Sequence, residues 1–217
     1  MPMPQYGNQH PVPETPMESY GRRRRLIRAG VRSIFIIMLI LLVLILATWL
    51  IFRPTKPYFT LQGGVVSTLK TFETTSVLTA AMQVTVSARN PNKFAGVYYE
   101  QLSAYVTYRD TEITPRTRLP AAYEGGYETK VWSPALGGDR VPVGRDMARY
   151  LNEDQTAGKV PVKIKVDGRL KWKMGVWVTG KHGMQADCPA FMTFDRSNNS
   201  SPVIKFTPEL QSCMVDA

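Results

Sequence analysis

The chain has 217 residues and a formal net charge of +10, an excess of base that invites nucleic acid as a partner. The charge is uneven, however. Arg22, Arg23, Arg24, Arg25, Arg28 and Arg32 crowd just ahead of an uncharged apolar run, which points to a membrane and away from nucleic acid.

The N-terminal stretch "MPMPQYGNQHPVPETPMESY" is rich in proline and poor in apolar residues. Residues 1–32 therefore read as a disordered, Pro-rich and Arg-rich cytosolic tail. Ser33 to Phe52, "SIFIIMLILLVLILATWLIF", carries no charge. As a helix, about 20 residues span about 30 Å, the hydrocarbon thickness of a bilayer. A core helix would show a polar stripe, and a cleavable signal would end in small residues, whereas this run ends in "TWLIFRP". The six arginines precede the run; Arg53, Lys56 and Lys70 follow it. That asymmetry places the N-terminus in the cytosol and residues 53–217 on the far side, with Trp49 near the outer interface.

Residues 53–217 suffice for one compact domain. Alternation predicts strands over Val65–Phe72, over "MQVTVSAR" with Met82, Val84, Val86 and Ala88 on one face, and over "YEQLSAYVTYR" with Leu102, Ala104, Val106 and Tyr108 on one face. Further candidates are Tyr127–Val131, Ala190–Phe194 and Val203–Phe206. Val143, Met147, Tyr150 and Leu151 recur at helical spacing, so an amphipathic helix is expected at about 144–156, between Gly144 and Gly158. The fold expected is mainly β: an Ig/fibronectin-III-like β-sandwich with one packed α-helix, preceded by a single transmembrane helix.

Two stretches carry more than pattern. In "NPNKFAGVYYE", Pro91 forces Asn90 into extended backbone, the Asn side chains mimic a turn, and Tyr98 and Tyr99 open the next strand. In "VPVKIKVDGRLKWKMGVWV", apolar residues fall on even numbers from Val160 to Val178, and lysines and Arg169 on odd ones. A hairpin at Asp167-Gly168 would oppose apolar residues to charges, so one unbroken strand is expected, with Gly168 at a bend or a close backbone approach. Its basic side, Lys163, Lys165 and Lys171, is either the wet face of a sheet or a contact for a polyanion, such as an acidic polysaccharide or anionic lipid headgroups.

Cys188 and Cys213 lie on the exterior side and are expected to pair; the alternative is two unrelated thiols. "SNNSSP" holds overlapping glycosylation acceptors, of which Asn198 is the better, because Pro202 directly follows the Asn199 sequon. Catalytic motifs are missing: there is no G-x-S-x-G, P-loop, G-x-G-x-x-G or H-E-x-x-H. His182, in "GKHGM", reads as a solvated turn residue, and no metal-ligand spacing is present. No enzyme, metal or cofactor is expected. A small Golgi-type enzyme would share the anchor orientation, but the chain lacks a D-x-D motif and is short for a sugar-nucleotide fold.

The first stretch, through Asn90, Pro91, Asn92, Lys93, Gly96, Tyr98, Tyr99 and Glu100, resembles a signature block of the plant NHL family, the race-nonspecific disease resistance and harpin-induced-like membrane proteins. The second resembles that family's later block through Asp167, Gly168, Arg169, Trp172, Lys173 and Gly175. Between them the family usually carries a block like F-Y-Q-G-H-K-N. Here "AAYEGGYETKVW" keeps Tyr123 and Gly125 but has Gly126, Tyr127 and Glu128 where H-K-N would lie. The resemblance implies a late-embryogenesis-abundant group-two domain, a seven-stranded sandwich with a helix, no enzymatic activity, plasma-membrane residence and a part in defence or stress responses. The partners it implies are the lipid bilayer and, through adhesion, cell-wall polysaccharide or other membrane proteins. The motif residues themselves could equally be structural: an Asn-Pro turn, a Gly bend and core aromatics.

Overall fold

The structure is a computed structural model of the chain and describes residues 16–51, 53–72, 74–195, 203–209 and 212–216. It divides into two units, residues 1–53 and 54–217.

The first unit is helix α1, Pro16–Ile51. It starts well before Ser33, so residues 16–32, expected to be unstructured, are helical. Proline suits a first helical position, and the arginine-rich sequence behind it propagates a helix already nucleated by the apolar run. Residues Arg23–Leu50 form a segment long and apolar enough to cross a membrane. Ile34 through Leu46 expose apolar side chains on every side of the helix, which suits lipid and not a soluble core. The Thr48 hydroxyl donates back to the Leu44 carbonyl at 2.6 Å, so this polar group is satisfied within the helix.

The second unit is an antiparallel sheet curled into a β-sandwich-like fold. Its long strands are β1 (Tyr58–Phe72), β2 (Val77–Arg89), β3 (Gly96–Tyr108), β9 (Lys159–Met174) and β11 (His182–Asp195). Short strands complete it: β4 (Thr111–Glu112), β5 (Thr117–Arg118), β6 (Ala122–Glu124), β7 (Thr129–Trp132), β8 (Ala135–Pro142), β10 (Trp177–Val178), β12 (Val203–Pro208) and β13 (Met214–Asp216). The ladder runs β4-β3-β9-β11-β12-β1-β2-β7. The thirteen described strands exceed the seven implied by the resemblance, because short edge pieces such as β5, β6 and β8 pair alongside the main path.

The predicted inward residues are inward. Met82, Val84, Val86 and Ala88 on β2 are buried, as are Leu102, Ala104, Val106 and Tyr108 on β3 and Val160 through Val166 at even positions on β9. Phe59, Tyr99 and Trp132 bring the layers together. Tyr99 stands edge-on to Phe59 and to Trp132, at centroid distances of 6.1 and 5.3 Å. Helix α2, Arg145–Ala157, lies where the spacing placed it, with Gly158 as a left-handed C-cap at φ 86°. Ala148 and Leu151 are buried, and Asp154 accepts the Tyr108 hydroxyl at 2.6 Å, tying the helix to β3.

Two local expectations are corrected. β9 ends at Met174, not Val178: Gly175, at φ 58°, and Val176 form a two-residue turn, and Trp177 pairs back on Met174. Val176 and Val178 continued the even-number count only by coincidence; both are exposed. His182 opens β11 opposite Leu170 and is not in a turn, although it is solvent-exposed.

Candidate functional site

β2 ends at Arg89, and Asn90 is fully buried where the chain leaves the sheet. Every polar group of its side chain is used. Nδ2 donates to the carbonyls of Ala95 at 2.6 Å and Gly125 at 2.9 Å. Oδ1 accepts the Asn92 backbone N–H at 3.0 Å and its Nδ2 at 2.9 Å. Asn92 in turn grips the backbone of Thr55 from both sides, accepting its N–H at 2.8 Å and donating to its carbonyl at 2.7 Å. The loop after Pro91 is thus shaped by side-chain amides acting as surrogate backbone.

Beneath it lies a charged residue that no sequence pattern singled out. Glu124 is fully buried; its Oε1 accepts the Asn90 N–H at 3.0 Å and its Oε2 accepts the Tyr99 hydroxyl at 2.5 Å. Burial pushes the Glu124 carboxyl upward, and burial together with the neighbouring carboxylate pushes the Tyr99 phenol upward. Gly126 packs so tightly that a Cβ there would sit 2.3 Å from the Lys93 carbonyl. The signal for this contact was the replaced middle block, which puts a glycine under the Asn-Pro loop. Glu124 left no signal, since its neighbours come from other strands.

The two family-like blocks meet. Gly96 pairs with Lys173, Tyr98 with Lys171 and Glu100 with Arg169 on adjacent antiparallel strands. At Gly168 the β3 ladder carries an extra residue, with Gln101 and Leu102 facing one position of β9. A Cβ on Gly168 would lie 2.8 Å from the Gln101 carbonyl oxygen and 2.7 Å from Leu102 Cδ2, so the close approach is real. Trp172 is in the core, and Gly175 makes the turn. Asp167 accepts Arg116, which also pairs with Glu112 at 2.7 Å and covers the Tyr105 ring. Arg169 is exposed beside an open depression of about 530 Å³ that Asp167, Gly168 and Met184 also line.

The basic face is neutralised where it stands. Lys163 pairs with Asp110 at 3.0 Å, Lys165 with Asp187 at 3.4 Å and Lys171 with Glu100 at 2.8 Å. Lys171 holds the half-buried Glu100 carboxyl below its ordinary range. Lys173 lies over the rings of Tyr123 and Tyr98, at 5.4 and 5.9 Å. Cys188 and Cys213 are disulfide-bonded, and the Cys213 N–H donates to the Phe59 carbonyl at 2.8 Å. Asn198 lies outside the described residues. Among the described residues, no group of three or more His, Cys, Asp and Glu could hold a metal ion.

These features define an antiparallel β-sandwich-like module behind a long apolar helix, with a buried Asn–Glu–Tyr network at one end. The model of the family described as late embryogenesis abundant protein matches residues 85–188, which hold both blocks. In Arabidopsis thaliana the chain is similar to NDR1/HIN1-like protein 1, at 38% identity over 84% of this chain and 88% of that one. It is 39% identical to NDR1/HIN1-like protein 12, over 71% and 73% of the two chains, and 32% identical to NDR1/HIN1-like protein 26, over 75% and 77%. The chain belongs to the NDR1/HIN1-like family.

Proposed function

We propose that the chain is a non-enzymatic single-pass membrane protein, with a cytosolic N-terminus and residues 53–217 outside the plasma membrane, acting in plant defence or stress response. Family membership carries this reading, and the apolar helix α1 supports it. The use of Asn90, Asn92, Tyr99, Gly168 and Trp172 in loop, ladder and core supports a scaffold role over a reaction centre. A membrane-impermeant cross-linker applied to intact cells, before and after a defence elicitor, tests it. The expected result is capture of surface partners through residues 53–217, in amounts that change with the elicitor. Absence of any labelling of that domain on intact cells would sink the surface assignment.

The alternative, a module for lipid or acidic polysaccharide, draws little support from the basic face. Lys163, Lys165 and Lys171 each have a carboxylate partner from β11 or from β3 and the turn after it. A polyanion would have to displace those partners. Large side chains such as Leu102, Ile164, Leu170 and Met192 occupy the interior where a lipid between layers would lie. The triple replacement of these lysines by serine is expected to leave binding to polygalacturonate unchanged across a salt series; salt-sensitive binding lost in the variant would restore the alternative.

A further inference from the structure

One end of the sandwich is defined by register: Tyr58 lies opposite Arg89, Arg89 opposite Thr129, and Gly96 opposite Lys173. From this end emerge the Asn90 loop, the turn after Glu124 and the hairpin tip between β9 and β10. Their tips carry large apolar side chains in the open: Val176 at 92% exposure, Trp177 at 76%, Phe94 at 63% and Tyr127 at 58%. Lys93 and Lys130 are exposed beside them, and Lys93 lies over the Phe94 ring. At the opposite end, among the described residues, Phe72 is the one large apolar side chain comparably exposed. Met214 and Val65 are exposed singly elsewhere, whereas several such side chains on neighbouring tips of one end, rimmed by lysine, mark a contact surface.

Chain connectivity chooses what covers it. Asn92 is bonded on both sides to Thr55, four residues beyond Ile51, the last residue of α1. Four residues reach at most about 14 Å. Given the reading that α1 spans the bilayer, the Asn90 loop is held beside the membrane surface, and the two neighbouring tips leave the sheet at the same end. Indole and phenol rings are favoured at the headgroup level, and lysines beside them meet anionic lipid.

We propose that this end of the sandwich is a bilayer-docking surface, seating Val176, Trp177, Phe94 and Tyr127 in the interface of the membrane that α1 crosses.

Tryptophan emission from the full chain in vesicles of brominated phosphatidylcholine with a minor share of phosphatidylserine tests this. Trp132 and Trp172 are buried in the sandwich and common to every chain compared, so differences in quenching between the chains report Trp49 in α1 and Trp177 at the tip. In a Trp49→Phe chain, bromine is expected to quench a substantial part of the emission, and Trp49→Phe/Trp177→Phe is expected to lose that quenching. A Val176→Asp change in the Trp49→Phe background is expected to reduce it severalfold. If wild type is quenched but Trp49→Phe is not, the anchor stands and the docking surface is overturned. If neither is quenched, the membrane reading fails and this proposal fails with it.

Discussion

The side chain on which the Asn-Pro block turns is Asn90, whose amide engages three backbone groups and the Asn92 side chain at once. Asn90→Ala removes the side-chain donor from the buried Ala95 carbonyl and the acceptor from the Asn92 N–H, and leaves the Gly125 carbonyl with the Glu128 N–H alone, a loss of about 3 kcal/mol by the cost of unsatisfied buried groups. Urea unfolding of residues 54–217 should show the midpoint falling with an unchanged slope. Glu124 adds a pH signature. Its folded-state pKa is raised, first by burial. Its contribution to stability is therefore fully present below the ordinary carboxylate range and is lost as pH rises through the folded-state value. Glu124→Gln keeps the shape and the acceptor for the Asn90 N–H without the ionisation. The variant is expected to gain stability over wild type at pH 7, and the gain should shrink toward pH 4; a constant difference across that range would mean that Glu124 does not titrate with folding. Neither Glu124 nor the partners of Lys163, Lys165 and Lys171 could be read from the sequence, because each contact joins residues far apart in the chain.

At the scale of elements, β9 is legible because its even residues are apolar without a break through Asp167-Gly168, and α2 because its stripe is bounded by glycines. The bulge opposite Gly168 also leaves a trace. Inward residues on β3 are odd-numbered at Val97 and Tyr99 and even-numbered from Leu102, and that change of parity is the extra residue. The end of β9 was not legible, since Val176 and Val178 extend the same count on a hairpin that leaves the core. Gly168→Ala tests the bulge: its Cβ meets backbone that cannot swing aside, so a loss of about 1–3 kcal/mol is expected in urea unfolding. The Cys188–Cys213 bond ties the C-terminal segment, through β13, to β11. Serine at both positions is expected to cost about 3–4 kcal/mol in the chain-entropy model. The native chain should yield no alkylatable thiol until reduced.

For the whole molecule, the sequence spoke most clearly where physics leaves few choices: an uncharged run of bilayer length, flanked asymmetrically by arginine, followed by alternating strands. Those features, with family membership, lead to an anchored outer domain as the central claim. Asn198 belongs to the same claim. The strands on either side of its segment pair at Asp195 and Val203, and the neighbouring pair Thr193–Lys159 lies at the start of β9, the end opposite Met174. The most direct measurement is protease protection in sealed microsomes from cells making the full chain, with N-glycosidase treatment of the surviving fragment. The account predicts that the N-terminal tail is trimmed, that a fragment running from the span through residue 217 survives until detergent is added, and that N-glycosidase then increases its gel mobility. Digestion of the C-terminal domain in intact microsomes, with the N-terminal tail preserved, would contradict it.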